Sequence, residues 1–227
     1  MTSIDGLFAA GECSWTYHGA NRLGANSLLS ASVDGWFTLP FTIPNYLADH
    51  LGEDKLAEDS EAAQRALQRA QDRIDRLMNV RGNDPHGPAY YHRKLGEFLY
   101  WGCGVSRNVE DLKTTIGKIR ELRAEFWANV RIPGSAEDMN QVLEYGLRVA
   151  DYLDLGELMC IDALDRDESC GAHFRDDHLS EDGEAERDDE RWCFVSAWEA
   201  GEGEHEFIRH AEPLYFDSIP LMTRNYK

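Results

Sequence analysis

Apolar residues recur three or four apart along much of the middle of this chain, and that spacing predicts helices. Ala63, Leu67, Ala70, Ile74 and Leu77 form one stripe, with Arg and Asp on the opposite face, and predict a helix over 59–80. Gly82, Pro85, Gly87 and Pro88 break it. A second helix is expected over about 89–104. It carries Tyr90, Tyr91, Phe98 and Trp101, an aromatic stripe that reads as core. Asn108 is placed to cap a third helix with Leu112, Ile116, Ile119, Leu122 and Phe126 on its buried face. Pro133-Gly134-Ser135 separates a fourth, about 136–153, which leads into a fifth, about 155–165. Short connections make these helices antiparallel neighbours in a bundle.

The flanks read differently. Residues 6–10 (Gly-Leu-Phe-Ala-Ala) suggest a short buried strand. A Gly-rich loop and a helix over 26–37 follow, with Asn26 or Ser27 as cap and Leu28, Leu29, Val33 and Trp36 apolar. Pro40 and Pro44 are expected to stop that helix, leaving a brief helical turn over Asn45–Leu51. Gly52 and the charged residues 53–61 read as a linker. After Arg166 the period is lost: 167–191 is polar and acidic and reads as a loop. Residues 192–198 predict a strand and 205–217 a second.

Composition narrows the function. At 227 residues and 42% hydrophobic, the chain can bury a core. No apolar run spans a bilayer, and the first residues lack the basic and apolar regions of a signal peptide. The formal net charge of −19 argues against nucleic-acid partners. Residues 176–206 alone carry thirteen Asp/Glu against two Arg. The five cysteines (13, 103, 160, 170 and 193) form no Cys-x-x-Cys pair and read as reduced cytoplasmic thiols, mostly idle or buried. Asp176-Asp177-His178 is read as a solvated acidic loop rather than a metal site.

Two segments carry a family pattern. Gly6-Leu7-Phe8-Ala9-Ala10-Gly11-Glu12 and His18-Gly19-Ala20-Asn21-Arg22-Leu23-Gly24-Ala25-Asn26-Ser27-Leu28-Leu29 resemble the end of the flavin-binding domain of the succinate dehydrogenase/fumarate reductase flavoprotein subunit. L-aspartate oxidase shares that motif. Tyr91-His92-Arg93-Lys94-Leu95-Gly96, Leu155-Gly156-Glu157-Leu158-Met159, Glu168-Ser169-Cys170-Gly171-Ala172-His173-Phe174-Arg175 and the terminal Arg224-Asn225-Tyr226-Lys227 resemble the dehydrogenase/reductase branch. Cys170 stands where many members carry arginine, as in a bacterial subgroup. The resemblance covers essentially the whole chain.

The resemblance implies an α+β, mostly α fold. Residues 1–52 would be the C-terminal piece of an FAD-binding domain, 53–166 a helical bundle, and 167–227 an irregular extension with short strands. It implies succinate oxidation or the reverse with FAD, and electron transfer to an iron–sulfur subunit and a quinone. The chain would sit on the cytoplasmic side of the inner membrane, held there by the iron–sulfur and membrane-anchor subunits.

Arg22 corresponds to the arginine that binds a substrate carboxylate, where a planar guanidinium matches the anion bidentately. Glu12 would contact FAD at its ribityl or ribose hydroxyls. Backbone N–H groups of Ser27 and Leu28 would face the flavin N1/C2=O edge, where negative charge collects on reduction. His18 reads as a structural histidine. His173 and Arg175 would either lock the helical part onto the flavin domain or supply plain interface polarity. The family's Gly-x-Gly-x-x-Gly fingerprint, flavin-linking histidine and capping domain are not in these residues. The sequence is therefore expected to be a C-terminal fragment, inactive alone, with no catalytic residue of its own. A helical docking module without catalysis, or an L-aspartate oxidase-like enzyme, are the alternatives.

Overall fold

The structure, a computed structural model, describes residues 1–53, 55–83, 85–203 and 205–222, without the side chains of 15–17. The terminal Arg224–Lys227 segment lies outside the described residues. The fold is α+β and mostly α. The chain divides into two compact units, Met1–Asp72 and Arg73–Lys227.

The first unit is built on two consecutive helices. After 3-10 turns over Gly11–His18 comes α1 (Asn26–Val33), which passes through a π turn at Asp34–Thr38 directly into α2 (Leu39–Asp49). The prolines do not stop the helix as the sequence suggested. Pro40 sits at the first positions of α2, where a missing N–H costs nothing, and the π turn ahead of it absorbs the change in pairing. Pro44 lies inside α2. The strand expected at 6–10 does not form: residues 7–10 are irregular. A strand needs a neighbour for its N–H and C=O groups, and among the described residues every paired strand belongs to the second unit. Glycines at φ +79° (Gly6) and +71° (Gly11) turn the chain at both ends of this stretch. Phe8 meets the Tyr46 ring edge-on at 5.9 Å. No residue of α1 or α2 is buried, and Trp36 is 79% exposed.

The second unit holds the core. Helix α3 (Glu61–Met78) enters it through its last turns. Helices α4 (Pro88–Gly102), α5 (Val109–Asn129) and α6 (Gln141–Asp165) follow. The stripe predicted for α5 is buried throughout, from Leu112 to Phe126. Asn108 caps α5 by accepting from the Asp111 N–H at 2.9 Å. Asn140 caps α6 in the same way, toward Val142 and Leu143. Tyr91 on α4 packs edge-on against Phe126 on α5, and the Arg76 guanidinium lies 3.6 Å above the Trp127 ring. Of the aromatic stripe on α4, Tyr91 is core but Trp101 is exposed.

The expected fourth and fifth helices are one helix of 25 residues. Gly156, in the region of the expected break, is a packing position. A Cβ there would lie 3.0 Å from Leu95 Cδ1, so the glycine sets the approach of α4 to α6.

After α6, the expected loop over 167–191 contains two short elements, and the two strands expected beyond it form. Strand β1 (Ser106–Arg107) pairs in parallel with β2 (Phe174–Arg175). A short helix, α7 (Asp189–Trp192), leads into an antiparallel hairpin of β3 (Phe194–Ala200) and β4 (Phe207–Pro213). The hairpin docks on α6: Trp198 Nε1 donates to Asp162 at 2.7 Å, and Arg209 pairs with Asp165 at 3.2 Å.

Candidate functional site

The expected ligand-binding residues all lie in the first unit. The Gly11–His18 segment runs back along α1, tied to it at both ends. The Gly11 N–H donates to Asp34 Oδ2 at 2.9 Å, and His18 Nε2 lies 3.3 Å from Ser30 Oγ. A Cβ at Gly11 would stand 3.3 Å from the Ala31 methyl, so glycine permits this close approach as well as the positive φ. His18 is half-buried where it meets Ser30 of α1.

The loop from Gly19 then returns the chain to the start of α1. Ala25, the residue before the helix, is at φ +64°, and no side chain caps the helix. The Asn26 N–H turns back to the Leu23 carbonyl at 3.2 Å, and the Leu29 N–H begins the helical ladder on Ala25. Between them, the N–H groups of Ser27 and Leu28 are first-turn donors for which the helix supplies no carbonyl. With the positive end of the helix dipole, they form a surface that favours negative charge. Ser27 is half-buried; the Leu28 side chain is 75% exposed.

Arg22 lies three residues before that turn, on the exposed loop. Its Nη1 reaches the Leu23 carbonyl at 3.4 Å, and among the described residues it forms no ion pair. A guanidinium in this position keeps most of its donors for a carboxylate, since only Nη1 is engaged. Glu12 is exposed and sits apart from this group. Its neighbour Gly11 is anchored at Asp34, about 12 Å of helical rise from the start of α1. The structure therefore gathers Arg22, Ser27 and Leu28 at one end of α1 and holds Glu12 toward the other.

The second unit contains charged clusters that periodicity did not flag. Glu157, fully buried on α6, receives Arg120 Nε at 2.6 Å and Arg123 at 2.7 Å, with His205 Nδ1 2.9 Å away. Burial pushes its carboxyl up, but the hydrogen bonds from Arg120 and His205 and the two arginine charges outweigh this and hold it below the usual range. The available signal was an acid on the apolar face, between Leu153 and Cys160, opposite two arginines three apart.

Arg175 is also fully buried, forked on Asp177 at 2.7 and 2.8 Å and donating to the carbonyls of Ala163 and Arg166. That hydrogen-bonded pairing lowers the Asp177 pKa. His173 bridges Arg107 and the Arg166 carbonyl. The partners of His173 and Arg175 lie within the second unit, where they fasten the loop after α6 to the helix end and to β1. His178 pairs with Asp167 at 2.7 Å, and among the described residues no cluster suited to a metal is present. No described helix is long and apolar enough to cross a membrane.

The first unit thus offers an anion-attracting helix start preceded by an arginine-bearing loop, and the second a helical bundle. Residues 92–226 match the family described as fumarate reductase flavoprotein C-term, and residues 1–28 match the FAD binding domain family. The chain belongs to the fumarate reductase flavoprotein C-terminal family. It is 33% identical to the succinate dehydrogenase flavoprotein subunit of Bacillus subtilis over 92% of its own length and 35% of that protein. It is 35% identical to the fumarate reductase flavoprotein subunit of Proteus vulgaris over 83% of its length and 29% of that protein. Its structure superimposes on E. coli quinol fumarate reductase FrdA with a TM-score of 0.76 at 31% identity, covering 96% of this chain and 35% of that one. The chain spans about a third of the length of the curated relatives it matches.

Proposed function

We propose that this chain is the C-terminal part of a flavoprotein that interconverts succinate and fumarate with FAD. The observation that carries the reading is the uncapped start of α1 beside Arg22, within the segment matched to the FAD-binding family. FAD, when bound, supplies the two-electron acceptor. The residues fit it: the N–H groups of Ser27 and Leu28 hold the electron-rich edge of the flavin, and small residues at Gly24 and Ala25 leave room for a ring. Glu12, two turns of α1 away, accepts from the ribityl or ribose hydroxyls. Arg22 binds and orients one substrate carboxylate through its fork.

Residues 1–52 then belong to the FAD-binding domain, 53–166 to the helical domain and 167–227 to a C-terminal extension. Electrons pass to an iron–sulfur subunit and on to a quinone. The assembly lies on the cytoplasmic face of the inner membrane, held by its anchor subunit. Residues 1–227 alone do not turn over, because the proton-transfer group and the pyrophosphate site are supplied by other residues of the flavoprotein.

The test is Arg22→Lys in the flavoprotein that carries this sequence. Lysine keeps the charge and loses the fork. The expected result is a fall in kcat/KM for succinate of about 100-fold with flavin absorbance retained. Unchanged catalytic efficiency removes Arg22 from the site.

A further inference from the structure

The start of α1 carries a hydrogen-bonded chain that the flavin reading leaves unused. Ser30, one turn into the helix, donates its hydroxyl proton to the Ser27 carbonyl at 3.0 Å. His18, at the end of the Gly11–His18 segment, places Nε2 3.3 Å from the same hydroxyl. Both side chains are half-buried. A carbonyl only accepts, so the contact with Ser27 engages the one proton Ser30 has, and the hydroxyl oxygen meets the imidazole as an acceptor. Nε2 therefore carries a proton and donates. Donation runs from His18 to Ser30 to the Ser27 carbonyl.

The end of this chain is what gives it a consequence. The Ser27 carbonyl and the Leu28 N–H belong to one peptide group, and that N–H is a first-turn donor facing away from the helix ladder. A peptide group is conjugated, so density drawn onto its oxygen leaves its N–H a stronger donor. Thr42 on α2 shows the contrast. Its hydroxyl donates to the Thr38 carbonyl at 2.8 Å, but the N–H of that peptide, from Leu39, is already engaged by the Asp34 carbonyl. Polarisation there stays inside the helix; at Ser27 it is delivered outward.

We propose that His18 and Ser30 are positioning residues that tune the flavin through the Ser27–Leu28 peptide. The proposal rests on the flavin reading, in which the Leu28 N–H faces the edge where negative charge collects on reduction. A stronger donor at that edge stabilises the reduced cofactor more than the oxidised one. The relay thus raises the flavin reduction potential without any atom of His18 or Ser30 touching the ring.

The test is the two-electron midpoint potential of the flavin, measured by spectroelectrochemical titration of the flavoprotein that carries this sequence. His18→Ala and Ser30→Ala are each expected to shift the equilibrium about threefold toward oxidised flavin, a fall of about 15 mV at roughly 30 mV per tenfold. The double variant is expected to match Ser30→Ala alone, because His18 acts only through Ser30. Ser30→Thr keeps the hydroxyl and is expected to hold the wild-type potential, and Thr42→Ala to leave it unchanged. If His18→Ala loses its flavin, the Ser30→Ala and Ser30→Thr pair decides. A rise in KM for succinate with an unmoved potential would mean that His18 only tethers the loop, and overturns the proposal. So do additive losses in the double variant, or an equal fall in Thr42→Ala. A wild type that binds no flavin overturns the flavin reading and this proposal together, whereas the other outcomes overturn the proposal alone.

Discussion

Arg107 donates from Nη1 to His173 Nδ1 at 2.9 Å, and this contact fixes the state of the imidazole. A guanidinium has no acceptor, so Nδ1 must carry a lone pair. Nε2 lies 2.9 Å from the Arg166 carbonyl, which can only accept, so Nε2 carries the proton. His173 is therefore neutral in the folded state. Burial drives its pKa below the usual value against the pull of the Arg166 carbonyl. The charges of Arg107, Arg175 and Arg166 lower it further.

A histidine whose pKa falls on folding leaves more protons on the unfolded chain. Stability is full above the unfolded value of about 6.5 and declines as pH falls from there toward the lowered folded value. Urea unfolding at pH 5, 6 and 7.5 is expected to show this decline in the wild type and a shallower one in His173→Asn. Identical slopes would mean that His173 is not the group being titrated.

Glu157 makes a second, sharper case. It lies in the core with Arg120, Arg123 and His205 around it, whereas Glu144 pairs with Arg148 on the open surface. Removing one partner of a buried pair leaves uncompensated charge, so Glu157→Gln is expected to cost about 3–5 kcal/mol. Glu144→Gln should stay within about 0.5 kcal/mol. Denaturant midpoints of the two variants measure the contrast; equal losses would refute it.

Arg175→Lys tests geometry rather than charge. Lysine keeps the positive charge but cannot place two parallel N–H groups on Asp177 while reaching the Ala163 and Arg166 carbonyls. A loss of about 3 kcal/mol is expected, with faster hydrogen exchange concentrated in 167–179. A variant as stable as the wild type would show that the fork contributes nothing beyond its charge.

Local signals made the helices legible, and tertiary ones hid the rest. Asn108 and the α5 stripe were readable because capping and a 3.6-residue period are written within one segment. The continuity of α6 was not legible in the sequence: the division expected near 154 lies beside Gly156, whose packing against Leu95, some sixty residues earlier, only the structure shows. The order in 167–191 was hidden because it rests on Arg175 reaching back to the Ala163 carbonyl of α6, on Arg107 of β1 reaching His173 and on Arg166 reaching the Phe194 carbonyl, not on a buried apolar pattern. At the candidate site, family resemblance singled out Arg22, Ser27, Leu28 and Glu12; that the first three lie at one end of α1 while Glu12 lies apart depends on the Gly11–Asp34 contact, which no spacing rule predicts.

The first unit yields the last prediction. Helices α1 and α2 bury none of their residues, and Leu28, Trp36, Phe37 and Phe41 all stand exposed. Apolar area of this kind in water promotes self-association. The 227-residue chain is therefore expected to bind a hydrophobic dye and to form soluble oligomers at micromolar concentration. Trp36→Ser with Phe41→Ser should reduce both, while the thermal unfolding of the bundle, whose core of Tyr91, Leu112, Phe126 and Leu153 lies in the second unit, stays within about 1 °C. Dye fluorescence and light scattering read the first effect and circular dichroism the second. A double variant with undiminished dye binding would show that the adhesive surface lies elsewhere, and a bundle that loses stability with it would show that the two units do not melt independently.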